Sequence, residues 1–222
     1  MHNALKALLV WVGVAGIVLG TSEPRVLAPS LPGATAYAQS STAQLRYSVV
    51  PERSEVHYRV REQLAGLHFP NDAVGTTSAV TGSIAFEPRG RVLPGESRVA
   101  IDLRTLRSDE ARRDNYIRRN TLEADRFPTV VFVPTEVRGL PFPLPQTGTV
   151  SFQIVGDLTV RDATRRVTWE ATATFSSESV SVRARTAFRF GEFGLSIPRV
   201  AVVLSVEDLI RLEADLLLRR SL

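Results

Sequence analysis

Histidines and paired carboxylates are the groups from which catalysis could be built in this 222-residue chain, and they are sparse or ordinary. There are three histidines, His2, His57 and His68, and no cysteine. His2 lies in an N-terminal segment that reads as a targeting signal, His57 falls on the polar side of an alternating segment, and His68 falls in a loop. Two imidazoles without thiolates are too few for a histidine-based metal cluster, and a cysteine nucleophile does not exist. No G-x-S-x-G, phosphate loop or dinucleotide fingerprint occurs. The pairs Asp109 with Glu110, Asp157 with Asp162, and Glu207 with Asp208 could exchange protons, but surface positions and turn caps account for them. We therefore expect no catalytic residue, no metal ligand and no cofactor.

The unusual pattern is apolar. In QIVGDLTVRDATRRVTWEATATF (Gln153 to Phe175) one face reads Ile154, Gly156, Leu158, Val160, then Val167, Trp169, Ala171, Ala173, Phe175. Gly156, Ala171, Ala173, Ala184 and Thr186 put small residues in mid-strand, flanked by Phe152, Trp169, Phe175, Phe188 and Phe190. Aligned across a sheet, such positions leave an apolar slot suited to an apolar guest. Equally, small residues fit the taper of a filled barrel. The expected lining takes Ile154, Gly156, Trp169, Ala171, Ala173 and Ala184 from this region, with Phe152, Phe188 and Phe190 beside them. Tyr58, Phe86, Ile101, Phe132 and Leu204 join from the other strands.

The elements that must position these residues are strands. Val56, Tyr58 and Val60 alternate with polar neighbours, as do Val80 to Phe86 and Val99 to Leu103. TVVFV (Thr129 to Val133) is uniformly apolar, SVSVRARTAFRF alternates again, and LSVEDLIRLEADLLL sets Leu204, Val206, Ile210, Leu212, Ala214 and Leu216 on one side. About eight strands with short turns predict an all-β fold, an antiparallel barrel just wide enough to be filled or to hold one small ligand. One helical piece is expected in SDEARRDNYIRRNTLEADRFP, with Ser108 as N-cap and Pro128 as terminator. RGLPFPLPQTG (Arg138 to Gly148) is a loop.

Lys6, the uncharged run Ala7 to Gly20 and the A-x-A at Ala36 and Ala38 form a signal-peptide layout. The chain divides into a signal segment, 1–38, and one domain, 39–222, exported to the periplasm or beyond. The alternative is an uncleaved anchor through residues 7–20, since Pro24 and Pro29 lengthen the gap to Ala38. A formal charge of +4 rests on arginine, Lys6 being the sole lysine, and no basic block is interleaved with aromatics. No nucleic-acid partner is expected.

VGDLTVRDATRRVTWEA resembles the signature hairpin of the YceI-like family, and RRDNYIRRNTLEADRFPTVVF is similar to that family's aspartate-containing helix and following strand. FRFGEFGL resembles its late R-x-D-F-G element, with Glu192 for the usual aspartate. Asp162-Ala163 and Arg166 also depart from the pattern, and the segment 61–79 is longer than usual and lacks a histidine motif. The resemblance implies a lipocalin-like barrel, exported in bacteria, whose interior takes a bound isoprenoid or other lipid; with no catalytic residue found, the first expectation is a non-catalytic carrier of an amphiphilic lipid such as a polyprenyl compound, quinone or fatty-acid derivative, with possible membrane-surface contact. The competing expectation is a filled barrel acting as an interaction module through Arg183, Arg185 and Arg189.

Overall fold

The computed structural model describes residues 44–221. The signal-like segment and its cleavage site lie outside the described residues. Eleven strands form one antiparallel sheet: β1 (Leu45–Val49), β2 (Glu55–Leu64), β3 (Asn71–Thr77), β4 (Val80–Phe86), β5 (Arg98–Asp102), β6 (Thr129–Arg138), β7 (Gly148–Val160), β8 (Ala163–Phe175), β9 (Ser179–Phe188), β10 (Val203–Val206) and β11 (Ile210–Ser221). Eight of them close a ring in the order β1, β4, β5, β6, β7, β8, β9, β11, with β11 returning to β1. Closure leaves the ring no free edge.

The count exceeds eight by three because two of the long paths around the barrel are broken and β3 is added outside the ring against β2. Between β1 and β2 the chain makes a turn at Pro51–Arg53, and the buried Ser54 hydroxyl donates to the Val50 carbonyl (2.8 Å) and accepts from the Leu217 amide (3.0 Å). β11 therefore pairs with β1 near its end and with β2 near its start. The second break, at Glu207–Leu209, separates β10 from β11. The extra length seen in 61–79 becomes the end of β2, its hairpin tip and β3, which pair from Val56 with Thr77 to Glu62 with Asn71.

The long hairpin β7–β8 pairs without a slip from Gly148 with Phe175 to Val160 with Ala163. Its two-residue turn puts Arg161 at φ 56°, a left-handed conformation that costs a non-glycine residue on the order of 1 kcal/mol. The guanidinium offsets this by pairing with Glu123 and lying over the Phe127 ring. Pro134 interrupts β6 and coincides with a register shift against β7, the place where a sheet tolerates a missing amide donor.

The helix α1 (Ala111–Tyr116) continues as a π turn over Ile117–Thr121. Its N-cap is Glu110, whose carboxylate accepts from the Arg112 amide, and not Ser108. Ser108 is held instead by Asp114, which accepts from both its amide (2.8 Å) and its hydroxyl (2.7 Å).

Candidate functional site

Alternation sends the apolar side chains of the ring strands inward, where most meet as one core cluster running from Val49 to Leu218. That core is not full. A cavity of about 230 Å³ runs through it, lined by side chains from the ring strands, β2 and the connecting segments. Leu103, Leu106, Ile117 and Leu122 contribute from the stretch between β5 and β6; Leu195 and Pro198 do so from the stretch between β9 and β10. Strand directions bring both stretches to the same end of the barrel. Leu140 and Leu144, from the proline-rich loop, line it from the opposite end.

Eleven of the expected lining residues are where alternation put them. Tyr58, Phe86, Ile101 and Phe132 line the cavity, as do Phe152, Ile154, Trp169, Ala173, Ala184, Phe188 and Phe190. Three are not. Leu204 is 67% exposed, because β10 is cut off from β11 and its pairing with β2 slips between Val203 and Ser205, so the inward phase of β11 does not extend back to it. Gly156 faces the interior but leaves no space there: a Cβ at this position would lie 2.6 Å from the Phe132 ring and 2.5 Å from the Val133 carbonyl oxygen. The Phe132 ring fills what the glycine vacates. Ala171 is buried between its register partners Phe152 and Ala184 without lining the cavity itself.

Tyr58 repeats the glycine arrangement on the other side, its ring lying across Gly75 of β3. Its hydroxyl is buried without a hydrogen-bond partner, and so is the indole N–H of Trp169, whose ring meets Phe132 edge-on at 5.8 Å. Burial pushes the Tyr58 phenol well above its ordinary value of 10, against the opposing pull of the Arg113 guanidinium. Arg113 itself bridges from α1 to β2 through Glu62 (2.9 Å) and holds Asp109 (2.6 Å); Glu62 is 8% exposed. This network fastens the helix over one end of the barrel.

The groups considered for chemistry are engaged in other contacts, although His57, expected on the polar side of its strand, also reaches the cavity wall. His57 Nδ1 contacts the Thr76 hydroxyl (2.9 Å) and its Nε2 lies 3.3 Å from Glu55. His68 is exposed in the β2–β3 connection. Asp157 pairs with Arg166, Glu207 with Arg211, and Asp208 accepts from the Phe190 amide. Among the described residues no three His, Cys, Asp or Glu side chains converge as metal ligands. The segments between the strands supply lining that periodicity could not reveal; the available signal was unpaired leucines in otherwise polar or proline-rich stretches, Leu106 and Leu144 being examples.

A family model described as YceI-like domain matches residues 47–218. UPF0312 proteins of Pseudomonas putida and Pseudomonas fluorescens are 30% identical over 114 residues, covering 47% of this chain and 56% of theirs. The chain thus spans about half the length of the curated relatives it matches. Among solved structures, a polyisoprenoid binding domain from Saccharophagus degradans, implicated in plant cell wall breakdown, superposes with a TM-score of 0.63 at 10% identity, over 80% of this chain and 99% of that one. Burkholderia cenocepacia BcnA gives 0.56 at 14% identity, over 76% and 98%. The Campylobacter jejuni YCEI protein gives 0.52 at 14%, over 72% and 91%. These likenesses are of fold.

Proposed function

The chain belongs to the YceI-like domain family, and from that premise we propose that it binds and carries one amphiphilic lipid, its apolar tail inside the barrel, without transforming it. The observation that carries this reading is the cavity of about 230 Å³ with its nearly continuous apolar lining. An apolar void of ~150 Å³ already stays dry and accepts an apolar guest. The ligand class is a polyprenyl compound, a quinone or a fatty-acid derivative. A neighbour of the same fold is a polyisoprenoid binding domain, which supports the class without naming the molecule. Lys6, the apolar run 7–20 and the A-x-A ending at Ala38 support export, so protein recovered outside the cytoplasm is expected to begin near Gln39. Sequencing its N-terminus checks this, and an intact Met1 in the membrane pellet would replace carriage in solution by carriage from an anchor.

Native mass spectrometry of purified protein, paired with organic extraction, tests the binding reading. A co-purifying or titratable lipid at one per chain is expected. The variant Ala184→Phe, placed in the cavity wall, should cut lipid uptake while costing less than about 1 kcal/mol of stability, because it grows into empty space. Wild-type protein that takes up none of the three lipid classes, or Ala184→Phe that unfolds early with uptake unchanged, would overturn carriage.

A further inference from the structure

The outer surface carries a second apolar feature, distinct from the cavity. Residues 65–70, the tip between β2 and β3, are all exposed, with Leu67 at 50% and Phe69 at 79%. The segment between β9 and β11 adds Val202 at 64% and Leu204 at 67%, together with Ile197 and Val200. The two stretches are tied to each other. The Ala65 amide donates to the Val202 carbonyl (2.9 Å), and Val203 pairs with Leu64. A soluble surface normally disperses its large apolar side chains; a contiguous exposed group of them marks a contact with a membrane or another protein.

Charge discriminates between occupants. A chain with 23 acidic residues has none from Gln63 to Asn71 and none from Ser196 to Val206. The cation there is Arg199, which has no ion-pair partner among the described residues, and His68 stands on the tip beside the apolar side chains. Arg61 stands at the base of the tip, its guanidinium 3.3 Å from Asp72. Aromatic and aliphatic side chains on a protruding turn, free of carboxylate and edged by arginine, match the boundary between headgroups and acyl chains. The same segment reaches inward, where Leu195 and Pro198 line the cavity while Ile197, Val200 and Val202 face out.

We propose that this end of the barrel docks on an anionic lipid bilayer, with Phe69, Leu67, Val202 and Leu204 entering the interface. Docking concerns the outer surface and holds whether or not the cavity is filled. It places the cavity's end against the source of an apolar cargo, so that a lipid need not cross water.

The absence of cysteine allows a direct test in the full chain. An environment-sensitive fluorophore is attached to a single introduced thiol, at Phe69→Cys or Val202→Cys, with Ser151→Cys on the exposed face of β7 as the reference. Vesicles of phosphatidylglycerol and phosphatidylcholine should shift emission at 69 and 202 to the blue and leave 151 unchanged. Vesicles of phosphatidylcholine alone should shift it less. The pair Leu67→Asp and Leu204→Asp, both at exposed positions, should leave thermal unfolding unchanged and weaken vesicle binding on the order of tenfold, read with the label at 202. Three results would overturn the proposal. One is labels at 69 and 202 that stay aqueous while protein sediments with vesicles, which assigns binding to the N-terminal segment. Another is a shift that requires no vesicles and depends on protein concentration, which assigns the surface to a second copy. The third is a double aspartate variant that binds vesicles as wild type does.

Discussion

The barrel interior and the helix-bearing end are held together by different physics. Inside, dozens of small apolar contacts and a closed ladder share the work, and a void of about 230 Å³ is tolerated. At the helix, a small apolar cluster around Leu103, Leu106 and Ala124 is joined by a few charged contacts that tie α1 to its surroundings: Glu62 with Arg113, Arg113 with Asp109, Asp114 with Ser108. Apolar packing degrades gradually when one contact is lost, whereas a buried charge left without its partner keeps its desolvation cost and loses its compensation. The end that closes the cavity is thus the more brittle part.

Removing a partner from the helix attachment should therefore have the largest effect. Glu62→Ala leaves the Arg113 guanidinium, 15% exposed, with the solvent-facing Asp109 as its one remaining carboxylate beside the Ser108 hydroxyl (3.2 Å), and is expected to cost about 3 kcal/mol. Denaturant unfolding measures it, with Asp125→Ala as the exposed reference. A loss below about 1 kcal/mol would show the helix to be as forgiving as the barrel. Asp114→Ala falls between, since two donors on Ser108 lose one acceptor, for about 1 to 3 kcal/mol. Glu123 is no neutral reference for either variant, because it pairs with Arg161 at the β7–β8 turn.

The interior is not equally forgiving everywhere. Gly156→Ala adds one methyl group against a carbonyl oxygen and the Phe132 ring, and should cost ~1 to 3 kcal/mol by overpacking. Ala184→Phe, a much larger change in the cavity wall, should cost less. If the order is reversed in thermal unfolding, the void lies elsewhere than beside Ala184.

This contrast also marks how far the sequence could be read. Period-2 alternation located most of the strands, though not β1 or β3, and eleven of the fourteen expected lining residues, because one face of each ring strand is buried where pairing stays in register. It failed at Leu204, where a bulge and a break in the chain reset the phase. It failed differently at Gly156. The inward direction was right, but occupancy depends on a neighbour, Phe132, from another strand, which no single-strand pattern encodes. The helix cap was misplaced by two residues because Ser108 and Glu110 are both competent caps and the buried Asp114 claims the serine. The Glu62–Arg113 contact joins residues 51 apart and had no local signal at all.

The smallest effect at neutral pH belongs to the residue on the seam between the two regions. Tyr58 lines the cavity and lies within the field of Arg113, and its hydroxyl has no partner. Tyr58→Phe removes a buried, unsatisfied group and should leave stability near pH 7 unchanged or slightly raised, by less than about 1 kcal/mol. The difference emerges in alkali. Burial raises the phenol's folded-state value above its unfolded value of 10, so the folded protein keeps a proton that the unfolded chain releases. Stability from this group is complete below pH 10 and declines as pH rises beyond it, by up to about 1.4 kcal/mol per pH unit. Tyr47, raised in the same direction by burial, adds to the decline and remains in the variant. Denaturant unfolding at pH 8 and at pH 11 should therefore show wild type losing more stability than Tyr58→Phe between the two conditions. Parallel losses would mean that the Tyr58 hydroxyl reaches water in the folded state, and that this end of the cavity is open where the buried phenol implies that it is shut.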